Sequence, residues 1–203
     1  MSDHPSAEDV VALYEAHAAA FDADRDRSLF ERAWLDRFAT GVPAGGDILD
    51  LGCGAGEPIA RYFIGRGFAL TGVDSAPSLI RLCRARFSAH EWHVGDMRAL
   101  SLGRRFHGIL GWDSFFHLTR EEQRRMIPRF AEHARAGCRL MFCSGPADGE
   151  AIGSYRGRTL YHASLAPEEY RARLADAGFT VLDHRVDDPG CGGRTIWLAS
   201  FAG

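Results

Sequence analysis

Two residue types are missing from this chain of 203 residues, lysine and asparagine. All 24 basic side chains are therefore arginine, a bias that we attribute to the codon usage of a GC-rich bacterial genome rather than to phosphate binding. The arginines are outnumbered by 27 acidic residues, which gives a net charge of −3 and a pI of about 6.3. No global basic field is present to attract nucleic acid or an anionic membrane.

Signatures of several other protein classes are also lacking. No apolar run approaches the ~18 residues that a membrane span needs, and the polar, acidic residues 1–6 do not form a secretory signal. The nine histidines show no HExxH or other metal-binding spacing. The five cysteines form no CxxC pair, and such an odd, scattered set predicts reduced thiols. We therefore expect a cytoplasmic protein without a metal, a membrane partner or a nucleic-acid partner.

Short apolar runs alternate with helical patterns along most of the chain. The length is that of one domain, and the alternation predicts an open, mostly parallel α/β sheet with helices on both faces. No helical segment separates the last two predicted strands, so we expect a hairpin and an antiparallel final strand. The seven predicted strands are residues 47–51, 69–73, 91–94, 108–112, 139–143, 179–186 and 194–201.

Two segments lie outside this alternation. Apolar residues at helical spacing predict two helices, at 8–21 and 28–39, before the first strand. Residues 145–162 predict a long loop after the fifth strand. Because long loops at the ligand-binding edge of a sheet are usually functional, we expect this loop to contribute to a site.

Glycine occupies every second position directly after the first strand, at Gly52, Gly54 and Gly56. Asp50 lies in the strand itself, and the second strand ends in another acid, Asp74. A strand, a glycine turn, a helix and a second strand ending in an acid form a site for an adenosine-containing cofactor. The G-x-G-x-G spacing lacks the extra residue of the G-x-G-x-x-G turn that binds a pyrophosphate. The turn therefore suits a cofactor with no phosphate and a positively charged amino-acid end.

The segment 49–56, Leu-Asp-Leu-Gly-Cys-Gly-Ala-Gly, resembles the first motif of the class I S-adenosylmethionine-dependent methyltransferases. Asp74 is similar to the family's acid that binds the ribose hydroxyls, and 95–97 resembles its acidic motif after the third strand. The segment 111–118 resembles the family's loop after the fourth strand. Residues 136–140 resemble its turn into the fifth strand, with departures from Pro-Gly-Gly at the first and third positions.

This resemblance covers motifs in residues 47–145 and the element order of nearly the whole chain. It implies one S-adenosylmethionine-dependent methyltransferase domain over 1–203, with a Rossmann-like core at 42–203. Residues 1–41 are then an N-terminal helical cap, whose two helices form a lid over the cofactor. The implied activity is transfer of a methyl group to a small-molecule acceptor.

The resemblance also implies which residues bind S-adenosylmethionine. For Asp74, the structural alternative is a cap on the next helix, but Ser75 already offers that cap. The expected cofactor-binding residues are Tyr14, Arg25, Asp50, Gly52, Cys53, Gly54, Asp74, Ser75, Asp96, Met97 and Trp112.

Gly52, Gly54 and Gly56 either allow close approach of a ligand to the backbone or are plain turn glycines. Five further expectations have a structural alternative. Asp50 either contacts the ammonium group of the cofactor or accepts backbone N–H groups in the tight turn. Arg25 pairs with the methionine carboxylate or is a solvated helix arginine. Asp96 contacts the adenine amino group or is an ordinary loop acid. Met97 packs on the adenine or fills the core, and Trp112 forms a cation–π contact with the sulfonium or packs in the core.

The methyl acceptor is less defined by the sequence. His117 and Asp113 are candidate catalytic bases because they follow the fourth strand, and His162 is a third candidate. The alternative for His117 is a histidine that orders its loop through backbone hydrogen bonds. Tyr155, Tyr161 and His162 either line an acceptor pocket or pack the loop onto the body of the protein.

Three functions follow in order of preference. The first is a methyltransferase acting on a small molecule as a monomer or homodimer. The second is a non-catalytic S-adenosylmethionine-binding or interaction protein that retains the fold, since a fold does not determine a function. The third, a nicotinamide dehydrogenase, is disfavoured by the glycine spacing.

Overall fold

A computed structural model describes residues 6–203, with side-chain positions from residue 9. The α-helices within these residues are α1 Ser6–Ala16, α2 Ala18–Asp24, α3 Arg32–Ala39, α4 Ile59–Gly65, α5 Pro77–Arg86, α6 Arg120–Glu132 and α7 Pro167–Asp176. The strands are β1 Asp47–Leu51, β2 Ala69–Asp74, β3 Glu91–Val94, β4 Phe106–Gly111, β5 Ala134–Ser144, β6 Gly149–Tyr155, β7 Arg158–Ser164, β8 Phe179–Asp188 and β9 Arg194–Phe201.

Seven of these strands form one sheet in the order β3-β2-β1-β4-β5-β9-β8. Neighbouring strands from β3 to β5 are parallel, whereas β9 runs antiparallel to both β5 and β8. This confirms the predicted Rossmann-like sheet with an antiparallel last strand. The chain order reverses at the centre of the sheet, where β1 lies between β2 and β4. Ligands bind such sheets at the carboxyl ends of the strands beside this reversal.

Successive side chains of the central strands point to opposite helical layers, as the two-residue period of a strand requires. Ile48 of β1 and Leu110 of β4 are buried in the layer that contains α3, α4 and α5. Leu49 and Ile109 are buried in the layer that contains α6 and α7. The predicted placement of helices on both faces is confirmed.

The N-terminal segment differs from its prediction in two respects. The single helix expected at 8–21 is two helices, α1 and α2, because the backbone of His17 leaves helical geometry (φ −115°, ψ 18°). The helix expected at 28–39 is α3, whose Trp34 and Phe38 are buried against the sheet. α3 is therefore part of the core rather than a lid. A lid role for α1 and α2, and the division of the chain into cap and core, stay predictions.

The prediction of a loop at 145–162 was wrong, because most of this segment forms the hairpin β6-β7, separate from the main sheet. Arg156 and Gly157 at its tip have left-handed backbones (φ 52° and 75°), as a two-residue hairpin turn requires. The glycines of β6 weaken its strand pattern, which hid it in the sequence. The hairpin packs on α1, where Tyr161 is buried with Val10.

Three general features concern the whole described chain. Within residues 6–203, no helix combines the length and apolar character needed to cross a membrane. In the same part of the chain, no group of three or more His, Cys, Asp or Glu side chains is placed to hold a metal ion. All five cysteines are buried free thiols.

Candidate active site

The loops after β1 and β4 meet at the carboxyl end of the sheet. Gly52 follows β1 with a left-handed backbone (φ 74°), and Ser114 lies in the loop after β4. The Ser114 hydroxyl donates a hydrogen bond of 2.6 Å to the Leu51 carbonyl. A Cβ atom added to Gly52 would lie 2.3 Å from the Cβ of Ser114. Glycine is therefore required here, because only a residue without a side chain allows this approach.

The amides of the glycine turn are already hydrogen-bonded within the protein. The N–H groups of Gly52 and Cys53 donate to the Val73 carbonyl at 2.8 and 3.2 Å. The Gly54 N–H donates to the Asp74 carboxylate at 2.9 Å. A phosphate-binding turn presents such amides to its ligand instead. These three amides attach the turn to β2, which agrees with a cofactor that has no pyrophosphate at this position.

The Asp74 carboxylate holds two loops together. One oxygen accepts the Gly54 N–H, and the other accepts the Ala76 N–H at 2.9 Å. The expectation that Ser75 caps α5 was wrong, since α5 has Ala76 at its N-cap and Asp74 supplies the bond there. Each carboxylate oxygen has a second lone pair, so Asp74 can still accept two hydroxyls. Burial raises the pKa of this carboxyl, and the two backbone hydrogen bonds oppose that rise.

A cavity of about 110 Å³, here called the inner cavity, lies over this turn. Its lining includes Tyr14, Phe21, Gly52, Gly54, Asp74, Ser75, Leu79, Asp96, Met97, Asp113 and His117.

A second cavity of about 530 Å³, here called the outer cavity, adjoins the first. The two cavities share Tyr14 and Phe21 from the N-terminal helices, and Asp113 and His117 from the loop after β4. We call these four residues the shared wall. The outer cavity continues between α2, the hairpin and the start of β9. Two ligands bound in the two cavities would therefore be neighbours.

Asp50 is a buried carboxyl behind the turn, with only 4% of its surface exposed. It makes no hydrogen bond to any described residue, so the alternative that it accepts backbone N–H groups was wrong. Burial, and then the neighbouring Asp74, raise the pKa of Asp50 to about 7, while the Arg25 charge opposes the rise. A positively charged ligand nearby would favour its ionised form.

Asp96 and Met97 both line the inner cavity. The Arg98 guanidinium binds both Asp96 carboxylate oxygens, and the Arg98 N–H donates to one of them at 2.8 Å. Burial acts to raise the pKa of Asp96, but the hydrogen bonds from Arg98 outweigh it and lower the pKa. Asp96 is therefore an ionised hydrogen-bond acceptor at the edge of the cavity.

Two expected cofactor ligands point away from both cavities. The Trp112 side chain is buried in the helical layer that contains α3, α4 and α5, and its Nε1–H has no acceptor among the described residues. Trp112 therefore packs in the core and does not lie where it could form a cation–π contact with the sulfonium. The Cys53 side chain is buried in the same layer, and its thiol contacts Cys83. Only the backbone of Cys53 belongs to the glycine turn.

Arg25 and the three hairpin residues are distributed differently from the prediction. Arg25 ends α2, lines the outer cavity and donates to the buried Glu31 carboxylate at 2.7 Å, so it is neither in the inner cavity nor solvated. Tyr155 and His162 line the outer cavity as expected. Tyr161 does not, because its side chain is fully buried under α1.

The hydrogen bonds of His117 determine its tautomer. Its Nδ1 lies 2.9 Å from the Tyr161 carbonyl, which can only accept, so Nδ1 carries the proton. Burial lowers the pKa of His117 to about 4, and the imidazole is therefore neutral at pH 7. Its Nε2 must then accept the hydrogen bond from the Tyr14 hydroxyl, 2.9 Å away. His117 orders its loop through a backbone bond, as the alternative stated, and also holds a tyrosine of α1.

Asp113, the other candidate base, is paired with Arg194. The guanidinium makes three contacts of 2.7 to 3.0 Å with the carboxylate. Two further residues of the outer cavity were not predicted as site residues: Phe116, which lies in the 111–118 motif, and Asp187, which belongs to no such motif. Of these two residues, only Phe116 could have been proposed from the sequence, because it directly precedes the candidate base His117. The Asp113–Arg194 pair joins residues 81 positions apart, and no local pattern reports such a contact.

Comparison with known proteins supports one family. A family model described as a methyltransferase domain matches residues 48–137, which include the glycine turn, Asp74 and Asp96. The chain is 27% identical over 153 residues to the dTDP-3-amino-3,4,6-trideoxy-alpha-D-glucopyranose N,N-dimethyltransferase of Streptomyces venezuelae, covering 70% of this chain and 64% of that protein. It is 24% identical over 151 residues to an O-methyltransferase of Pyrenophora dematioidea, covering 68% and 56%.

The chain thus spans less than two thirds of the length of these curated relatives. Among solved structures, it is similar in fold to the 1,6-didemethyltoxoflavin-N1-methyltransferase of Burkholderia thailandensis. The TM-score is 0.75 at 19% identity, over 100% of this chain and 92% of that one. Residues 48–137, with the glycine turn and the two strand-end acids, thus match a methyltransferase domain, and the whole described chain has the fold of that toxoflavin-precursor methyltransferase.

Proposed function

We propose that this chain is an enzyme that transfers a methyl group from S-adenosylmethionine to a small-molecule acceptor. The observation that carries the proposal is the shared wall between the inner cavity, which contains the glycine turn and Asp74, and the outer cavity. When bound, S-adenosylmethionine supplies a methyl group on a positively charged sulfur, already activated toward a nucleophile. The protein then has mainly to hold two ligands side by side in the correct orientation.

The residues of the inner cavity fit S-adenosylmethionine. The two remaining lone pairs of Asp74 match the two vicinal hydroxyls of a ribose. Leu79 and Met97 offer apolar surface to a base, and the ionised Asp96 can accept from an amino group. Asp50 lines neither cavity, but it is a buried carboxyl behind the glycine turn without a hydrogen-bond partner in the described chain, and a positively charged ligand nearby would favour its ionised form.

The shared wall is assembled from two parts of the chain. Tyr14 and Phe21 come from the N-terminal helices, and the hydrogen bond from Tyr14 to His117 joins them to the loop after β4. Closing these helices over the loop therefore orders the wall and removes water from the contact between the cavities. We propose that Tyr14, Phe21 and His117 position the ligands.

The relatives support a small-molecule acceptor. Their names describe an amino-sugar N,N-dimethyltransferase, an O-methyltransferase and a toxoflavin-precursor N1-methyltransferase. These acceptors differ in the atom that is methylated. The attacking atom must therefore be inferred from the outer cavity itself.

One observation favours a second candidate function, a non-catalytic protein that binds S-adenosylmethionine. Two of the three candidate bases are not free, since Nε2 of His117 accepts from Tyr14 and Asp113 is paired with Arg194, which leaves His162. Formation of the demethylated product with any acceptor would exclude this alternative. Cofactor binding without product, across phenols, amines and thiols, would support it.

We further propose a cytoplasmic, bacterial protein that acts as a monomer or homodimer without nucleic acid. The five buried free thiols support a reducing compartment. The Streptomyces relative and the exclusive use of arginine support a bacterial source. The net charge of −3 argues against nucleic acid.

Calorimetric titration with S-adenosylmethionine and with S-adenosylhomocysteine tests the proposed cofactor. We expect both to bind, and Asp74→Ala to weaken binding by about tenfold or more, because two charge-assisted hydrogen bonds are lost. Asp176→Ala, at the exposed end of α7, is the matched control and should leave the affinity unchanged. Absence of binding of either ligand at high micromolar concentration would contradict the proposal.

A further inference from the structure

The hydroxyl of Tyr14 is oriented by a chain of hydrogen bonds. The Tyr161 carbonyl requires the proton of His117 on Nδ1, and the neutral ring then accepts at Nε2. Tyr14 must therefore donate its own O–H to His117. The Tyr14 oxygen has no other proton and presents only lone pairs. Because Tyr14 lines both cavities, the shared wall offers a hydrogen-bond acceptor where the two ligands would meet.

The positive charges around the outer cavity are already paired. Arg194 binds Asp113 through Nε and Nη2, and its Nη1 donates to the Cys191 carbonyl. Arg25 forms an ion pair with the buried Glu31. Neither arginine therefore brings an unpaired charge to a ligand in this cavity.

Negative charge remains after this pairing. Three further carboxylates line the outer cavity, and Asp24 is bound by Arg156. Asp26 and Asp187 form no ion pair with any described residue. Asp26 accepts only from Ser28, within its own loop. The outer cavity therefore has two carboxylates left to attract a cation.

The backbone gives an independent indication that this cavity is a site. Asp113 and Asp187 both have left-handed backbones, with φ of 47° and 46°. Aspartate adopts this conformation at moderate cost, and residues held in it concentrate at functional sites. Both of these residues line the outer cavity.

Aromatic rings cover another part of the same surface. Phe21, Phe116, Tyr155 and His162 line the outer cavity, and the rings of Phe116 and His162 lie 4.9 Å apart, edge to face. Ring faces attract cations and apolar bodies alike. Together with carboxylates, they form a surface suited to an amine on a ring or hydrocarbon body.

We propose that the methyl acceptor is an amine, bound as a cation in the outer cavity with Asp187 facing its charge and the Tyr14 oxygen accepting one of its N–H groups. This inference rests on the proposed function and specifies its acceptor. An amine with several N–H donors matches a surface that offers acceptors and negative charge. A hydroxyl, with a single donor and no charge, matches it less well.

The chemistry of nitrogen agrees with the available residues. A protonated amine first gives one proton to a carboxylate or to water in the open cavity. Its nitrogen lone pair then forms the bond to the methyl carbon as the carbon–sulfur bond breaks, and that electron pair stays on sulfur. The nitrogen regains a positive charge beside the carboxylates. A hydroxyl needs a base during attack, and of the three candidate bases Nε2 of His117 is occupied by Tyr14 and Asp113 is paired with Arg194, so that His162 alone remains for it.

Binding to the protein saturated with S-adenosylhomocysteine tests the inference without turnover. The probes are two matched pairs, benzylamine with benzyl alcohol and glucosamine with glucose, titrated calorimetrically at pH 7.5. We expect the amine of at least one pair to bind about tenfold or more tightly than its alcohol. Asp187→Asn and Tyr14→Phe should each reduce that preference, whereas Asp176→Asn should preserve it.

The outcomes separate this inference from the proposed function. Loss of S-adenosylhomocysteine binding in the parent protein would remove the proposed function itself. Normal binding of S-adenosylhomocysteine, with amines that bind no better than alcohols or not at all, would overturn only the amine inference. Retained S-adenosylhomocysteine affinity shows that each variant is folded. An unchanged preference for the amine over the alcohol in both Asp187→Asn and Asp26→Asn would also overturn the inference that carboxylates of the outer cavity face the charge of the amine.

Discussion

Glu15 of α1 caps the first turn of α5. Its two carboxylate oxygens accept from the Ser78 N–H at 2.9 Å and from the Ser78 hydroxyl at 2.6 Å. The N-cap of α5, Ala76, has no side chain that can make such a bond. Glu15, 63 positions from Ser78, therefore completes the cap that Asp74 begins at the Ala76 N–H. This contact attaches the helix that carries Tyr14 to the edge of the inner cavity.

Removing this cap should loosen α1. We expect Glu15→Ala to increase hydrogen exchange in residues 10–24 and to weaken S-adenosylhomocysteine binding several-fold, because Tyr14 and Phe21 would leave the cavity wall more often. Glu15→Gln should have a smaller effect, since the amide oxygen can still accept one bond. Exchange monitored by mass spectrometry checks this. Unchanged protection of α1 in Glu15→Ala would show that the contact does not hold the helix.

Gly52 should tolerate no side chain. Gly52→Ala introduces a Cβ only 2.3 Å from that of Ser114 and also places alanine at φ 74°. We expect a loss of more than about 2 kcal/mol of unfolding free energy, measured by urea denaturation.

Gly45→Ala is the matched control for this substitution. Gly45 has a similar φ of 71°, but a Cβ there has no neighbour within 4 Å. It should cost only the backbone strain, about 1 kcal/mol. The double change Gly52→Ala with Ser114→Gly should recover part of the stability. Equal losses for Gly45→Ala and Gly52→Ala would mean that the contact with Ser114 is unimportant.

Asp50 should make the stability of the ligand-free protein depend on pH. Its pKa is about 7 in the folded protein and near 3.8 when exposed, so the folded state holds a proton that the unfolded state releases over this interval. The contribution of Asp50 to the free energy of unfolding is therefore most favourable below pH 4, and it falls as the pH rises toward 7. The slope is about 1.4 kcal/mol per pH unit, with a total of about 4 kcal/mol.

Asp50→Asn removes this titration while keeping the shape of the side chain. The quantity to compare is the difference in free energy of unfolding, parent minus variant. We expect this difference to fall between pH 5 and pH 7 and to level off above pH 7. Urea denaturation at intervals of half a pH unit measures this difference. A difference that does not change with pH would show that Asp50 is already ionised in the folded protein.

The sheet and the cofactor turn were predictable because their signals are local. Predicted strands 47–51, 91–94 and 194–201 coincide with β1, β3 and β9, since alternation and turn residues define each within a short window. The hairpin β6-β7 was missed because its glycines weaken the alternation. Trp112 and Cys53 were assigned to the cofactor on proximity in sequence, but their side chains point into the core.

The sequence by itself determined the α/β order, the antiparallel last strand and a glycine turn unsuited to a pyrophosphate, because each depends on neighbours within a few residues. Only the tertiary structure decided which side chains face the outer cavity, where Arg194 pairs with Asp113 and Tyr14 donates to His117. Those contacts join segments about 80 to 100 positions apart. Their geometry arises from packing helices and loops onto the finished sheet, and no local pattern of residues encodes it.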